Sequence, residues 1–242
     1  MRIAVAGGTG VVGRHVVEVA RERGHDVVVL SRSEGVDLTT GAGLAERLAR
    51  VDAVIDTANQ AAQKRVDSEA FFGGVTRTLL DAEAAAGVRH HVVLSIVGID
   101  DVDSGYYAGK RLQERLVAEG PVPWSVLRAT QFHEFAEQAL HFMRVGPFSL
   151  VPRMLSQPVA AREVAEALMA LAEGEPAGRA PELAGPERLQ VVDLARRVAR
   201  GRRVVPVRVP GAAGRAMRSG ALLPQSDGPR GTLTFDAWLA GR

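Results

Sequence analysis

The chain predicts an α/β fold built on a doubly wound parallel sheet, closed by a small C-terminal α+β cap. Three observations carry this. Apolar runs of strand length recur at 2–6, 26–31, 53–57, 91–97 and 124–128. Segments with apolar residues every three or four positions separate them, at 11–23, 43–50, 64–86 and 106–118, and such alternation gives parallel strands joined by right-handed helical crossovers. The first strand also runs straight into Gly7-Gly8-Thr9-Gly10-Val11-Val12-Gly13 and a helix. A strand, a glycine turn and a helix N-terminus form a diphosphate cradle, because glycine lets the backbone approach closely and the free N–H groups at the helix start favour an anion. Gly7, Thr9, Gly10, Val11, Val12 and Gly13 are therefore candidate cofactor-binding residues of a Rossmann-type fold.

The second strand ends at Leu30-Ser31-Arg32-Ser33. An NAD site normally carries Asp or Glu here for the ribose 2′-hydroxyl, whereas Ser31 and Arg32 suit a 2′-phosphate. NADP(H) is the expected cofactor, with Asp37 and Leu38 at the adenine edge. The third strand ends in Asp56-Thr57-Ala58-Asn59; small residues at Thr57, Ala58 and Asn59 let the backbone pass close to the cofactor. Ser95, near the end of the fourth strand, is expected at the C-terminal edge of the sheet, in reach of a substrate oxygen.

The following helix holds both tyrosines of the chain, Tyr106 and Tyr107, and one of its two lysines, Lys110. Tyr106 and Lys110 stand four apart, on one helix face. An ammonium beside a phenol favours the phenolate, so Lys110 is expected to draw the Tyr106 pKa down toward working pH and make it a general acid or base. Lysine in a chain that otherwise uses arginine also suits bridging of ribose hydroxyls.

After about residue 130 the rhythm changes to helices near 131–144, 161–173 and 190–200, short strands near 148–151 and 204–208, and Gly/Pro-rich loops at 174–186 and 209–231. Residues 1–242 read as a single NAD(P)-binding domain, with a core over about 1–130 and a substrate cap over about 131–242. The chain has 242 residues, a formal net charge of +2 and no cysteine, which rules out disulfide and thiol chemistry. The basic stretch Arg196 to Arg208 alternates with Val and Ala and reads as a solvated face rather than a nucleic-acid site. No membrane span, targeting segment or metal-ligand spacing stands out, so a cytoplasmic protein with a small-molecule substrate is expected, and its oligomeric state is open. His133 lies in an apolar helical stripe that reads first as core.

These residues together resemble the short-chain dehydrogenase/reductase superfamily, and within it the atypical, NmrA-like NAD(P)H-binding proteins. The carriers are the glycine run, Leu-Ser-Ile-Val-Gly at 94–98, Tyr-Tyr-Ala-Gly-Lys at 106–110 and Pro-Trp-Ser-Val-Leu-Arg-Ala-Thr-Gln-Phe at 123–132, with Gln157-Pro158-Val159, Glu163-Val164-Ala165 and Glu182 to Glu187 further on. The resemblance implies that Ser95 positions a carbonyl, Tyr106 donates the proton and Lys110 grips the nicotinamide ribose. It also implies that Ala129, Thr130 and Phe132 pass along the nicotinamide. Eleven positions separate Ser95 from Tyr106, fewer than is usual in the superfamily, and the stretch Glu69 to Gly74 lacks the asparagine of its proton relay. The implied activity is NADPH-dependent reduction of a carbonyl or quinone-like small molecule, apolar or aromatic in character. The alternative is an NmrA-like NADP(H)-binding redox sensor without turnover, and a sugar-nucleotide epimerase or dehydratase is a third.

Overall fold

A computed structural model describes residues 1–62 and 64–242. In chain order the elements are β1 (Arg2–Ala6), α1 (Val11–Glu22), β2 (Asp26–Leu30), α2 (Leu44–Arg47), β3 (Ala53–Asp56), α3 (Arg65–Ala86), β4 (His90–Ile96), α4 (Gly105–Glu119) and β5 (Trp124–Ala129). There follow α5 (Phe135–Ala139), β6 (Arg144–Val145), β7 (Phe148–Pro152), β8 (Leu155–Ser156), α6 (Ala161–Glu173), β9 (Gly178–Arg179), β10 (Leu189–Gln190), α7 (Val191–Val198), β11 (Arg203–Val207), α8 (Gly211–Ser219) and α9 (Phe235–Ala240).

Two compact units emerge. The first comprises Met1–Ser95, Ser104–Arg128 and Arg162–Ala180; the second comprises Ile96–Asp103, Ala129–Ala161 and Pro181–Arg242. The 162–180 segment belongs with the first unit. There β9 pairs in parallel with Ser125 and Val126 of β5, Arg162 reaches Glu22 of α1 at 2.6 Å, and Glu173 takes Arg23 and His25 at 2.6 and 2.7 Å.

The sheet of the first unit runs β2-β1-β3-β4-β5-β9, with β1–β2, β1–β3 and β3–β4 parallel. Its central strands are covered on both faces, as all-parallel sheets require: Ile3, Ala4, Val5 and Ala6 of β1 and Ala53, Val54 and Ile55 of β3 are fully buried. The chain leaves β1 for β2 on one side and returns to β3 on the other, so the loops after β1 and β3 meet at a switch point, where ligands of such sheets bind. A buried acid–imidazole pair lies inside this unit: His91 Nδ1 and the Glu83 carboxyl group are 2.9 Å apart with no side-chain exposure.

The second unit holds a three-stranded sheet, β11-β7-β6, and the antiparallel pair β10–β8. The helix expected over 131–144 shortens to α5. The backbone on either side of Phe132 bonds to another segment instead, His133 N donating to Val159 O at 3.1 Å and Val159 N to Gln131 O at 3.0 Å, and Gly146-Pro147 turns β6 back onto β7. The helix expected over 43–50 is only α2, which is capped at Leu48 and followed by a left-handed Arg50 at φ 61°. Helix α8 lies inside a segment expected as loop, where two glycines and Pro210 conceal its spacing. Among the described residues no helix is long and apolar enough to cross a membrane.

Candidate dinucleotide and active site

The glycine run folds into a cradle at the end of β1. Gly10 N donates to Gly7 O at 2.9 Å, and Gly10 caps α1 in extended backbone with no side-chain hydrogen bond. The N–H groups of Val11, Val12 and Gly13 at the start of α1 thus have no side-chain cap and suit a diphosphate. A Cβ on Gly13 would lie 2.2 Å from Gly7 O and 2.8 Å from Gly8 Cα, so only glycine lets the helix close on the turn. Gly13→Ala is expected to force the cradle open at a strain of about 1–3 kcal/mol, lowering dinucleotide affinity roughly ten- to hundredfold. Calorimetric titration checks this, with circular dichroism to confirm folding; unchanged affinity would show that the cradle does not hold the diphosphate.

At the end of β2, Ser31 is buried and its hydroxyl meets that of Ser33 at 2.9 Å. Arg32 opens a 3₁₀ turn, Arg32–Glu34, with its side chain exposed. Asp37 accepts from the Thr39 hydroxyl at 2.6 Å and the Thr39 N–H at 2.9 Å. These bonds, the hydroxyl foremost, hold its carboxyl below the usual range. Leu38 packs on the core beneath the β2 side of the sheet.

The loop after β3 joins the cradle to the reacting end. A Cβ on Gly7, whose φ is 72°, would lie 2.9 Å from the backbone of Thr57 and Ala58. Thr57 hydroxyl donates to Ala6 O at 2.8 Å, and Ala58 N donates to Asp56 Oδ1 at 2.8 Å. Asn59, the next residue, accepts from the Tyr106 hydroxyl at 2.8 Å. Cradle, β3 loop and Tyr106 are thus contiguous.

Tyr106 and Lys110 lie one turn apart on α4, as their spacing predicts, and Phe72 of α3 touches both. Its ring packs edge-on to Tyr106 at 5.7 Å, and the Lys110 ammonium lies 4.9 Å from the ring centre. Gly109 permits the approach: a Cβ there would lie 2.2 Å from Ser68 Oγ and 2.7 Å from Phe72. Lys110 is buried; its ammonium donates to Leu94 O at 2.7 Å and to Gln113 Oε1, and Gln113 Nε2 donates to Asp56 Oδ2 at 2.8 Å. Burial draws the Lys110 pKa down to about 8, against the pull of Asp56 and Glu114. The phenol departs from the expected downward shift: burial pushes Tyr106 up to about 12, only partly offset by its bond to Asn59. Tyr106 therefore holds its proton at neutral pH, as an acid must.

Ser95 faces the other way. Its hydroxyl is buried and donates to Glu114 Oε1 at 2.5 Å. That carboxylate also takes the Arg128 guanidinium in a two-pronged pair at 2.9 and 2.7 Å, with Arg179 at 3.4 Å. The hydroxyl expected at a substrate oxygen is thus turned into an ion-pair network behind β4. Asp56, Gln113, Glu114 and Phe72 escaped the sequence reading because they look like strand-end, helix-surface and core residues until α3 and α4 close.

Ala129, Thr130 and Phe132 belong to the second unit. Ala129 O accepts from Val97 N at 3.0 Å, the Thr130 hydroxyl donates to Gln157 O at 2.6 Å, and Phe132 bridges Val159. His133 is buried against Phe235 and Trp238, with Nε2 at 3.0 Å from Leu233 O, which is core packing.

Cradle, switch point and parallel sheet define a dinucleotide-binding protein. The chain belongs to the NAD(P)H-binding family, whose profile matches residues 7–175. A (4-alkanoyl-5-oxo-2,5-dihydrofuran-3-yl)methyl phosphate reductase from Streptomyces griseus is 31% identical over 144 residues, which cover 54% of this chain and 48% of that protein. The chain thus spans about half the length of that relative. Among solved structures, an NADPH-dependent quinone oxidoreductase from Escherichia coli superposes with a TM-score of 0.71 at 17% identity, covering 99% of this chain and 98% of that one. A short-chain dehydrogenase/reductase superfamily protein from Agrobacterium tumefaciens with bound NAD gives 0.70 at 22% identity, covering 100% and 95%.

Proposed function

We propose that this chain is a cytoplasmic, NADPH-dependent reductase of the atypical short-chain dehydrogenase type, acting on a carbonyl or quinone-like small molecule. The observation that carries the reading is the protonated Tyr106, hydrogen-bonded to the β3 loop that abuts the glycine cradle. The cradle, Ser31 and Arg32 would hold the diphosphate and 2′-phosphate, with Thr57, Ala58 and Asn59 along the cofactor. Bound NADPH supplies a hydride to an electrophilic carbon. Tyr106 releases its hydrogen bond to Asn59 and gives its proton to the substrate oxygen, so that a carbonyl becomes an alcohol. Lys110 offsets the phenolate charge left behind. The aromatic run Phe71, Phe72, Tyr106 and Tyr107, with neighbouring ring centres 5.2 to 5.8 Å apart, supports an apolar or aromatic substrate. The reductase named in Streptomyces griseus supports reductive chemistry.

Arg32 is the proposed discriminator between cofactors. Arg32→Ala is expected to weaken NADPH binding by about 1.5–3 kcal/mol, the worth of a charge-assisted hydrogen bond, and to leave NADH binding unchanged; parallel calorimetric titrations measure both. Equal affinity of the unaltered protein for the two cofactors would overturn this assignment.

A second reading, an NADP(H)-binding redox sensor without turnover, is favoured by one observation: the Ser95 hydroxyl is committed to Glu114. NADPH oxidation screened against aldehydes, ketones and quinones separates the two. Consumption that depends on Lys110 supports the reductase, and none with any compound supports the sensor.

A further inference from the structure

The second unit carries a cavity of about 480 Å³ whose lining includes four arginines, Arg153, Arg196, Arg208 and Arg218, together with Asp193 and Gln190. They come from separate places in the chain: the turn after β7, helix α7, the end of β11 and helix α8. Asp193 pairs with Arg196 at 3.0 Å, leaving three guanidinium charges without a carboxylate there. Arg218 is oriented by donating to Val209 O at 3.1 Å. Arg153 N donates to Val207 O at 2.9 Å, which sets residue 153 beside the β11 end that bears Arg208. Among the described residues the guanidinium groups of Arg153 and Arg208 have no acidic partner. The first turn of α7, capped by no side chain, forms part of the same wall through Val192 and Asp193.

Like charges brought together in a concave site repel one another unless an anion joins them. The volume suits a small molecule, the flat, forked donors of arginine match the oxygens of phosphate as well as those of carboxylate, and the greater charge of a phosphate suits three guanidinium groups without a carboxylate. We propose that this cavity binds a small phosphorylated molecule, with Arg153 and Arg208 as its principal contacts. The site is separate from the cradle residues, and the proposal does not depend on turnover of NADPH. Two of its arginines bound the basic stretch that the sequence suggests is merely solvated; what the sequence hides is their convergence with Arg153 and Arg218.

The test is calorimetric titration of the full chain with inorganic diphosphate and with phenyl phosphate, in saturating NADPH so that the cradle is filled. Binding is expected to weaken as salt rises, and Arg153→Ala with Arg208→Ala is expected to lower the affinity at least tenfold. Both side chains are exposed, and NADPH affinity of the double variant, expected unchanged, confirms that the protein remains folded. Three results would overturn the proposal: no binding of either probe, equal binding by the double variant, or a preference for a DNA duplex over both probes that the double variant loses. The last would make this face a nucleic-acid contact.

Discussion

Tyr106→Phe is expected to lower the turnover of a reducible carbonyl by about 10²- to 10⁴-fold, the usual worth of a positioned general acid, while NADPH affinity stays the same. The substitution removes one oxygen and keeps the ring that packs on Phe72 at 5.7 Å, so the fold survives it. The pH profile carries independent information. Burial keeps the phenol protonated up to about pH 12, so the acid itself does not titrate away near neutrality. Lys110 does, because burial brings its pKa down to about 8. It is charged below that value and neutral above it, and kcat/KM is expected to fall as pH rises through it. Single-turnover rates across that range measure both effects; unchanged turnover by the Phe variant would remove Tyr106 from the chemistry.

His91→Ala is expected to destabilise the protein by about 3–5 kcal/mol, because it strands the Glu83 carboxylate in the core without its partner. Both side chains have no exposure and meet at 2.9 Å. Replacing the two together by leucine is expected to restore most of the loss, since burial of a charged pair costs much of what its attraction returns. The direction of the pH effect follows from the same contact. The Glu83 carboxylate raises the His91 pKa against the opposing effect of burial, and burial raises that of Glu83. Folded protein therefore holds these protons to higher pH than unfolded chain does. The stabilisation from His91 is complete below its unfolded pKa of about 6.5 and is lost as pH rises through the higher folded value. Urea unfolding at several pH values measures this; equal stability of His91→Ala and the unaltered protein would show the pair to be incidental.

Much of the fold is legible because its signals are local. Strands β1 to β5 are short apolar runs between helical spacings, and the glycines at 7–13 must follow the first strand for the cradle to close. Where local signals compete with longer-range bonds, reading by period fails. The apolar stripe from Phe132 onward has helical spacing, yet Gln131 and His133 bond to Val159 and the helix shrinks to α5. Gly211 and Gly214 make α8 look like loop although the segment is helical.

The site divides in the same way. That Tyr106 and Lys110 share one face of α4 is legible from a spacing of four, which any helix honours. What each side chain does depends on partners far along the chain: Ser95 on Glu114, nineteen residues on, and Gln113 on Asp56, fifty-seven residues back. Lys110 is consequently tied to Leu94 O and Gln113 in the interior, and burial raises the Tyr106 pKa where the isolated pair suggests a fall. Sequence spacing conveys which groups share a face, but not how much water their neighbours exclude.

The most direct test of the reductase reading is single-turnover transfer from NADPH deuterated at the hydride position, presented with a panel of aldehydes and ketones. The account predicts an alcohol carrying deuterium on the former carbonyl carbon, with transfer slowed in Tyr106→Phe. Tight NADPH binding with no deuterium delivered to any compound would contradict it and leave a sensor.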